Sequence, residues 1–228
     1  VGTGRVTPSL AVTLGDVAPF DAVSARWLLT ASLQGEFISF NASYQNINPN
    51  GDPTLSLIDD LFTHWLVHAV RITYPPYLED HVIDYLTDER VTLDNTPDRL
   101  WDSTNGTSFP VTTHVNARNF TFGVPKFGLN PDGSLNANVT VNCTTVRRGL
   151  GGSLWQYMRM DNPLPGFFLY LATRSDGSQL LPSVNSWYTL KIDHYDLPAP
   201  DVRHDLIHLF DHPVLTTGVY MLSLVNFR

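Results

Sequence analysis

The stretch LFTHWLVHAVRITYPP, residues 61–76, carries the strongest structural signal in the chain. Two histidines and an arginine interrupt an apolar run, which stops at Pro75 and Pro76, where the backbone has no N–H to donate to a β-ladder. By itself the stretch permits a metal-binding strand, a helix with a buried pair of histidines, or one wall of a surface that assembles. The segments around it decide between these alternatives.

Those surrounding segments favour β-structure. Apolar and polar residues alternate with period two, and the intervening clusters of Gly, Pro, Asn and Asp are typical of turns. One helical pattern stands out, at 55–62, with Thr54 able to cap it. We predict strands at 35–44, 64–74, 81–88, 112–124, 134–146, 166–174 and 186–197. The predicted core contains Phe40, Leu66, Val70, Ile72, Phe120, Phe122, Phe168, Tyr170, Leu190 and Ile192.

In a strand, His64 and His68 point to the same side, which is compatible with a shared metal ion. However, no third ligand is marked nearby, and the chain has a single cysteine, Cys143, so the pattern does not support zinc. We therefore predict two partly buried, hydrogen-bonded imidazoles on a strand packed against a sheet.

The composition points to a packed protein with an unusually uncharged surface. Of 228 residues, 43% are hydrophobic and only 16% are charged, against a usual share of about a quarter. This indicates either a surface of uncharged polar residues or large areas hidden against partners. The net charge of −8 argues against a free-standing nucleic-acid binder. No apolar run reaches the roughly 18 residues that a membrane-spanning helix needs.

An acidic segment is the best candidate for a metal site. Carboxylates without a nearby excess of cations repel one another, and a cluster of oxygen ligands suits Ca²⁺. The alternative is a solvated acidic loop whose charges are balanced by Arg90 and Arg99. The candidate ligands are Asp88, Glu89, Asp94, Asp98 and Asp102.

The order of these elements resembles the shell domain of the capsid proteins of small positive-strand RNA viruses. In tombusviruses, sobemoviruses, nodaviruses and tetraviruses, a short helix precedes a strand that carries an Arg and ends in Tyr-x-Pro. LSLIDDLFTHWLVHAVRITYPP (55–76) is similar to that block, and HVIDYLTDERVTLDNTPDRLW (81–101) is similar to the acidic loop that follows. NARNFTFGVP (116–125) and the segment 162–200 resemble later strands of the domain.

The resemblance implies an all-β fold, an eight-stranded antiparallel jelly-roll sandwich with one or two short helices in its loops. It implies one domain over 1–228, with an N-terminal arm at 1–29, the jelly roll at 30–200 and a C-terminal tail at 201–228. Many copies would self-assemble in the host cytoplasm into an icosahedral virion shell around genomic single-stranded RNA, with Ca²⁺ between subunits. A basic arm ahead of Val1 would contact the RNA, and the candidate RNA-facing residues within the chain are Arg5, Arg26, Arg147 and Arg148.

Two other classes of function compete with this interpretation. A lectin-like or viral-spike binding module would use exposed aromatic residues, for which Trp155, Tyr157 and Trp187 are the candidates. A hydrolase on a β-scaffold would need a nucleophile with its base. The chain contains no GxSxG, HExxH or phosphate-binding glycine loop, and we expect no enzymatic activity.

Overall fold

A computed structural model describes residues 11–18, 23, 25, 63–72, 81–92, 94–104, 106–144, 155–193, 202–212 and 218–226, with the side chains of residues 192, 193 and 203 not included. The chain separates into two compact units, Val1–Thr63 and His64–Arg228. In the first unit the described residues form no regular secondary structure. The predicted helix at 55–62, the strand at 35–44 and the core position Phe40 lie outside the described residues. The second unit contains every strand described below.

The described residues of the second unit form twelve strands. They are β1 (Leu66–Val70), β2 (Asp84–Thr87), β3 (Arg99–Asp102), β4 (Thr107–His114), β5 (Phe120–Phe122), β6 (Lys126–Leu129), β7 (Leu135–Cys143), β8 (Trp155–Asp161), β9 (Phe168–Arg174), β10 (Ser186–Asp193), β11 (Val202–Asp211) and β12 (Val219–Asn226). A 3-10 turn at Ala117–Asn119 is the one helical element among the described residues. None of their helices is long and apolar enough to cross a membrane.

The strands form two sheets. One has seven strands in the order β1-β2-β3-β4-β8-β11-β10, and the other has five, ordered β5-β7-β12-β9 with β6 also paired to β7. The pairings between these strands are antiparallel, except that of β4 with β8, which is parallel. The expected all-β class is therefore confirmed. The expected number of eight strands is too low, since the described residues alone hold twelve.

The two sheets pack face to face in a sandwich-like arrangement. Alternate residues of β8 and β11 on the seven-stranded sheet meet alternate residues of β7 and β12 on the five-stranded sheet, as period-two strands require. The fully buried side chains of this core include Val139, Met158, Ala172, Ile207, Leu209, Leu222 and Leu224.

The opposite face of the seven-stranded sheet builds a second core, because the sheet curls. Its first and last strands meet: the ring of His68 on β1 stacks on that of Trp187 on β10, with the centroids 3.8 Å apart. The side chain of Asn185 accepts a hydrogen bond from the backbone N–H of Arg71 and donates one to its carbonyl, at 3.1 and 2.8 Å. The amide side chain of Asn185 thus forms the two hydrogen bonds with Arg71 that the backbone of a neighbouring strand would form.

One predicted strand, 112–124, is wrong as a single element. Its first part belongs to β4 in the seven-stranded sheet and its last part is β5 in the five-stranded sheet. Between them the side chain of Asn116 accepts a hydrogen bond from the N–H of Arg118 and caps the 3-10 turn. A polar residue that bonds to its own backbone thus ends one strand and redirects the chain.

The segment 201–228 is not a tail outside the sheets. It forms β11, which lies between β8 and β10, and β12, which lies between β7 and β9. Both strands are flanked on each side and contribute Ile207, Leu209, Leu222 and Leu224 to the core. The predicted strands at 64–74, 81–88, 134–146, 166–174 and 186–197 each contain an observed strand.

The predicted core is correct at Val70 and Phe120, which are buried, and partly correct at Ile72, which is half-buried. Two β-bulges account for part of the remaining error. One lies between Leu66 and His68, and another leaves Tyr170 without a partner opposite Ser223 and Leu224. Each bulge shifts the alternation by one residue. The side chain of Ile192 is not described, and the predicted core residues that are exposed are Leu66, Phe122, Phe168, Tyr170 and Leu190.

Candidate functional site

The acidic segment forms the connection from β2 to β3 and continues through β3. Asp88 is buried, and its Oδ2 accepts hydrogen bonds from the backbone N–H and the hydroxyl of Thr92. Its Oδ1 is buried without a hydrogen-bond partner in the described structure. Asp98 accepts from the N–H of Glu89 at 2.9 Å and forms an ion pair with Arg90 at 3.1 Å.

Glu89 belongs to a local network with His64. Its Oε1 lies 2.7 Å from His64 Nδ1 and accepts hydrogen bonds from the Thr87 hydroxyl and the Trp101 indole. Partial burial acts to raise the pKa of Glu89, but these hydrogen bonds outweigh it and hold the pKa below its ordinary value. The predicted partly buried, hydrogen-bonded imidazole at His64 is confirmed.

The remaining two acidic residues serve other purposes. Asp102 accepts a hydrogen bond from the N–H of Thr104 at 2.9 Å, and the backbone carbonyl of Asp94 accepts one from Arg159 at 2.8 Å. Within the described ranges, no three side chains of His, Cys, Asp or Glu are grouped to hold a metal ion. The unpartnered Oδ1 of Asp88 is the oxygen donor that this connection offers to a cation.

A concave site lies on the curled face of the seven-stranded sheet, and we call it the β8–β11–β10 groove. It has a volume of about 450 Å³. Side chains of the three strands form its floor, and the β2–β3 connection and β1 contribute to its walls. Its lining includes Asp94, Asn95, Tyr157, Arg159, Asp161, Trp187, Thr189, Lys191, His204, Leu206 and His208.

The centre of the groove floor is a hydrogen-bonded imidazole. His208 Nδ1 lies 2.7 Å from the hydroxyl of Tyr157, and Nε2 lies 2.7 Å from that of Thr189. The ring also stacks on Trp187, with the two planes 5° apart. Burial, with smaller contributions from Arg159 and His68, lowers the pKa of His208 to about 3.

These surroundings decide what the imidazole can do chemically. A histidine with a pKa of about 3 is neutral at physiological pH and is a weak base. Burial also raises the pKa of Tyr157, so its hydroxyl stays protonated. The Thr189–His208–Tyr157 chain resembles a nucleophile–base–orienter set in its connectivity, but it lacks the basicity to activate a hydroxyl. It acts as a rigid, neutral floor.

The structure differs from the sequence-based view of the aromatic residues. Trp155, Tyr157 and Trp187 are buried rather than exposed, although the last two line the groove. The groove residue that sequence analysis overlooked is Arg159, because the strand that carries it, β8, was not predicted. The alternation in WQYMRMD (155–161) is the signal that would have identified it. The candidate RNA-facing residues Arg5, Arg26, Arg147 and Arg148 lie outside the described residues.

Comparisons with known proteins yield no relative. No protein-family model matches the chain, and neither a curated protein nor a solved structure matches it.

Proposed function

We propose that this chain is a viral coat protein that self-assembles into a closed icosahedral shell around single-stranded RNA. The observation that carries the proposal is a strip of exposed apolar side chains at the β5–β6 edge of the five-stranded sheet. We call it the edge strip, and it consists of Phe122, Val124, Phe127, Leu129 and Leu135.

The register places most of the edge strip on one side of the sheet. Phe122 pairs with Val141, Phe127 with Ala137, and Leu129 with Leu135. The partners Val141 and Ala137 are buried in the core, so this side of the sheet faces inward, yet the strip itself is open to solvent. Phe127 is 64% exposed and Leu129 is 71% exposed, while Val124, in the β5–β6 connection, is 87% exposed.

Such a strip favours association over an isolated subunit. Between Phe120 and Leu129 the sequence FTFGVPKFGL has one charged residue, Lys126, and interface centres are depleted of charge in the same way. Among the described strands, β5 and β6 pair with β7 alone, so their outer edge is open to a neighbour. Covering a side chain the size of Leu129 contributes on the order of 1–2 kcal/mol per contact.

A closed shell needs each subunit to contact several neighbours. A second group of exposed apolar side chains lies on the other sheet and its flanking residues: Trp65, Leu66, Ile83 and Phe109. Two apolar groups on different sheets support contacts with more than one neighbour, as ring-forming and shell-forming interfaces require.

The jelly-roll topology, the RNA and the calcium ions belong to the same proposal. The sandwich-like pair of sheets is compatible with a jelly roll elaborated by additional strands. Because the chain carries a net charge of −8, packaging RNA requires local positive charge, and Arg5, Arg26, Arg147 and Arg148 are proposed to face it. A Ca²⁺ ion at the connection from β2 to β3 would supply a partner for Oδ1 of Asp88, which has none among the described residues.

The test is electron microscopy and analytical ultracentrifugation of the purified full chain. We expect closed particles of uniform diameter that contain nucleic acid. Leu129→Glu places a charge in the edge strip and should release subunits or small oligomers with an unchanged circular dichroism spectrum. Thr140→Glu is the matched control, because Thr140 is exposed on the outer face of β7.

Two outcomes would contradict the proposal. One is a chain that remains a monomer at high concentration in the presence of RNA and Ca²⁺. The other is assembly that Leu129→Glu and Thr140→Glu affect equally, since the edge strip would then have no special part in it.

A further inference from the structure

The β8–β11–β10 groove contains a cationic side chain that is held in place without being neutralised. Arg159 is half-buried, and one of its N–H groups donates to the carbonyl of Asp94 at 2.8 Å. Among the described residues it forms no ion pair with a carboxylate. A guanidinium carries five N–H donors in a rigid fork, so the contact to Asp94 orients it and leaves a pair of donors for a carboxylate.

The side chains beneath Arg159 leave its positive charge available to an anion. Arg159 is directly opposite His208 in the β8–β11 register, and the imidazole is fixed by Tyr157 and Thr189. That imidazole is neutral, so it neither repels the guanidinium nor competes with it for an anion. A partly desolvated arginine on a rigid floor binds an anion more strongly than an exposed one.

The rim of the groove is polar and carries both signs of charge. Asp161 lies two residues beyond Arg159 on the same face of β8, and its carboxylate is exposed. Lys191 and His204 face each other across β10 and β11, and Asn95 lies on the opposite wall. A carboxylate next to a cation would repel a simple anion, but it accepts hydrogen bonds from hydroxyl groups. This mixture suits a ligand that has one anionic group and several hydroxyls.

The aromatic residues of the groove argue against a nucleotide. Trp187 is buried, and its ring stacks with those of both His68 and His208, in both cases nearly parallel. Tyr157 is buried. No described aromatic ring of the groove floor therefore offers an open face on which a base could stack, which is the usual way to bind single-stranded nucleic acid. The volume of about 450 Å³ falls in the range typical of small-molecule sites, and a single sugar residue fits it.

We propose that the β8–β11–β10 groove binds an acidic sugar, such as the terminal residue of a cell-surface glycan. The carboxylate of the sugar pairs with the fork of Arg159, and its hydroxyls bond to Asp161 and Asn95. The site is contained in one subunit, so the proposal does not depend on assembly. On a shell protein it would supply attachment to a cell surface.

The test measures binding of free monosaccharides to the full chain by saturation-transfer NMR and calorimetry. The probes are N-acetylneuraminic acid and glucuronic acid, with glucose, inorganic phosphate and adenosine monophosphate as comparators. We expect an acidic sugar to bind at millimolar concentration and glucose to bind far more weakly. Arg159→Lys keeps the charge but loses the fork, and should weaken binding about tenfold or more.

A second variant separates sugar recognition from simple anion binding. Asp161→Asn should weaken binding of an acidic sugar, because the hydroxyls lose their acceptor, whereas it would strengthen binding of phosphate by removing a repulsive charge. Arg99→Lys is the matched control, an exposed arginine on β3, and should change nothing. Unchanged thermal unfolding would show that the variants are folded.

Three results would overturn the proposal. The first is that no acidic sugar binds, and the second is that glucose binds as well as the acids do. The third is that phosphate or the nucleotide binds best and gains affinity in Asp161→Asn, which would make the groove a phosphate site.

Discussion

The buried ion pair between Arg174 and Asp211 joins the two sheets, and Asp211→Asn should be among the most destabilising single changes in the chain. The carboxylate, on β11, accepts from Arg174 Nε at 3.0 Å to each oxygen and from its Nη2 at 2.8 Å. It also accepts from the backbone N–H of His212 and the hydroxyl of Tyr220, at 2.8 and 2.9 Å. The side chains are 7% exposed for Arg174 and 1% for Asp211.

The expected magnitude follows from what the substitution leaves behind. Burial alone would lower the pKa of Arg174, but the carboxylate outweighs burial and raises it, so the guanidinium stays charged. In Asp211→Asn that charge remains buried without a counter-ion, and the new amide N–H₂ faces other donors. Removing one partner of a buried pair costs about 3–5 kcal/mol, a large part of the roughly 5–15 kcal/mol that stabilises a typical domain.

Urea unfolding followed by tryptophan fluorescence measures this loss as a shift in the transition midpoint at constant slope. Thr173→Ser, next to Arg174 on β9, is the control and should stay within about 0.5 kcal/mol of the parent. The double variant Arg174→Met with Asp211→Leu should recover most of the loss, because it removes both charges. If Asp211→Asn lowered the free energy of unfolding by less than about 1 kcal/mol, water would have to reach Arg174. That result would contradict the burial of the ion pair between β9 and β11.

Three further predictions concern the core, the groove and the acidic connection. Leu209→Ala, at a fully buried position, should lower the free energy of unfolding by about 2–5 kcal/mol. Tyr170→Ala, at an exposed bulge, should lower it far less. Equal losses in the two variants would contradict the assigned bulge. The pKa of His208 is about 3 in the folded chain and about 6.5 in the unfolded chain, so the unfolded chain takes up a proton at a higher pH. The stability contributed by neutral His208 is therefore fully present above about pH 6.5. It falls as the pH drops toward 3, by up to about 5 kcal/mol. Imidazole NMR signals of His208 that titrate between pH 5 and 8 would refute this. EDTA at neutral pH should loosen assembled particles and Asp88→Asn should have the same effect, while particles indifferent to both treatments would exclude a cation at Asp88.

Local sequence was sufficient to predict the class of fold and several strands. Period-two alternation and turn clusters act over a few residues, which is why 134–146 and 166–174 each contain an observed strand. The imidazoles of His64 and His68 were also predicted to be hydrogen-bonded, and the contact of His64 with Glu89 agrees with that prediction. These features depend on neighbours in the chain or on simple ligand chemistry.

At the connection from β2 to β3, local sequence predicted which acidic residues lie close together but not their contacts. The sequence brought five carboxylates together between residues 88 and 102, but it could not show that Asp98 pairs with Arg90, or that an oxygen of Asp88 is buried without a partner. Those facts depend on the path of the connection from β2 to β3. The groove could not be predicted for the same reason, because Arg159 lies opposite His208 on β11, a strand that follows it by almost fifty residues.

The sequence by itself determined that the chain forms strands, because alternation and turn residues are local properties. Tertiary structure decided which strands share a sheet, so that 112–124 divides between two sheets and 201–228 enters the middle of both. It also decided which face of a strand is buried, since one bulge at Tyr170 reverses the alternation beyond it. The edge of a strand can form hydrogen bonds with many different strands, and either of its faces can be buried. Which strand pairs with it, and which face is buried, depends on residues far away in the sequence, so a short segment cannot specify either.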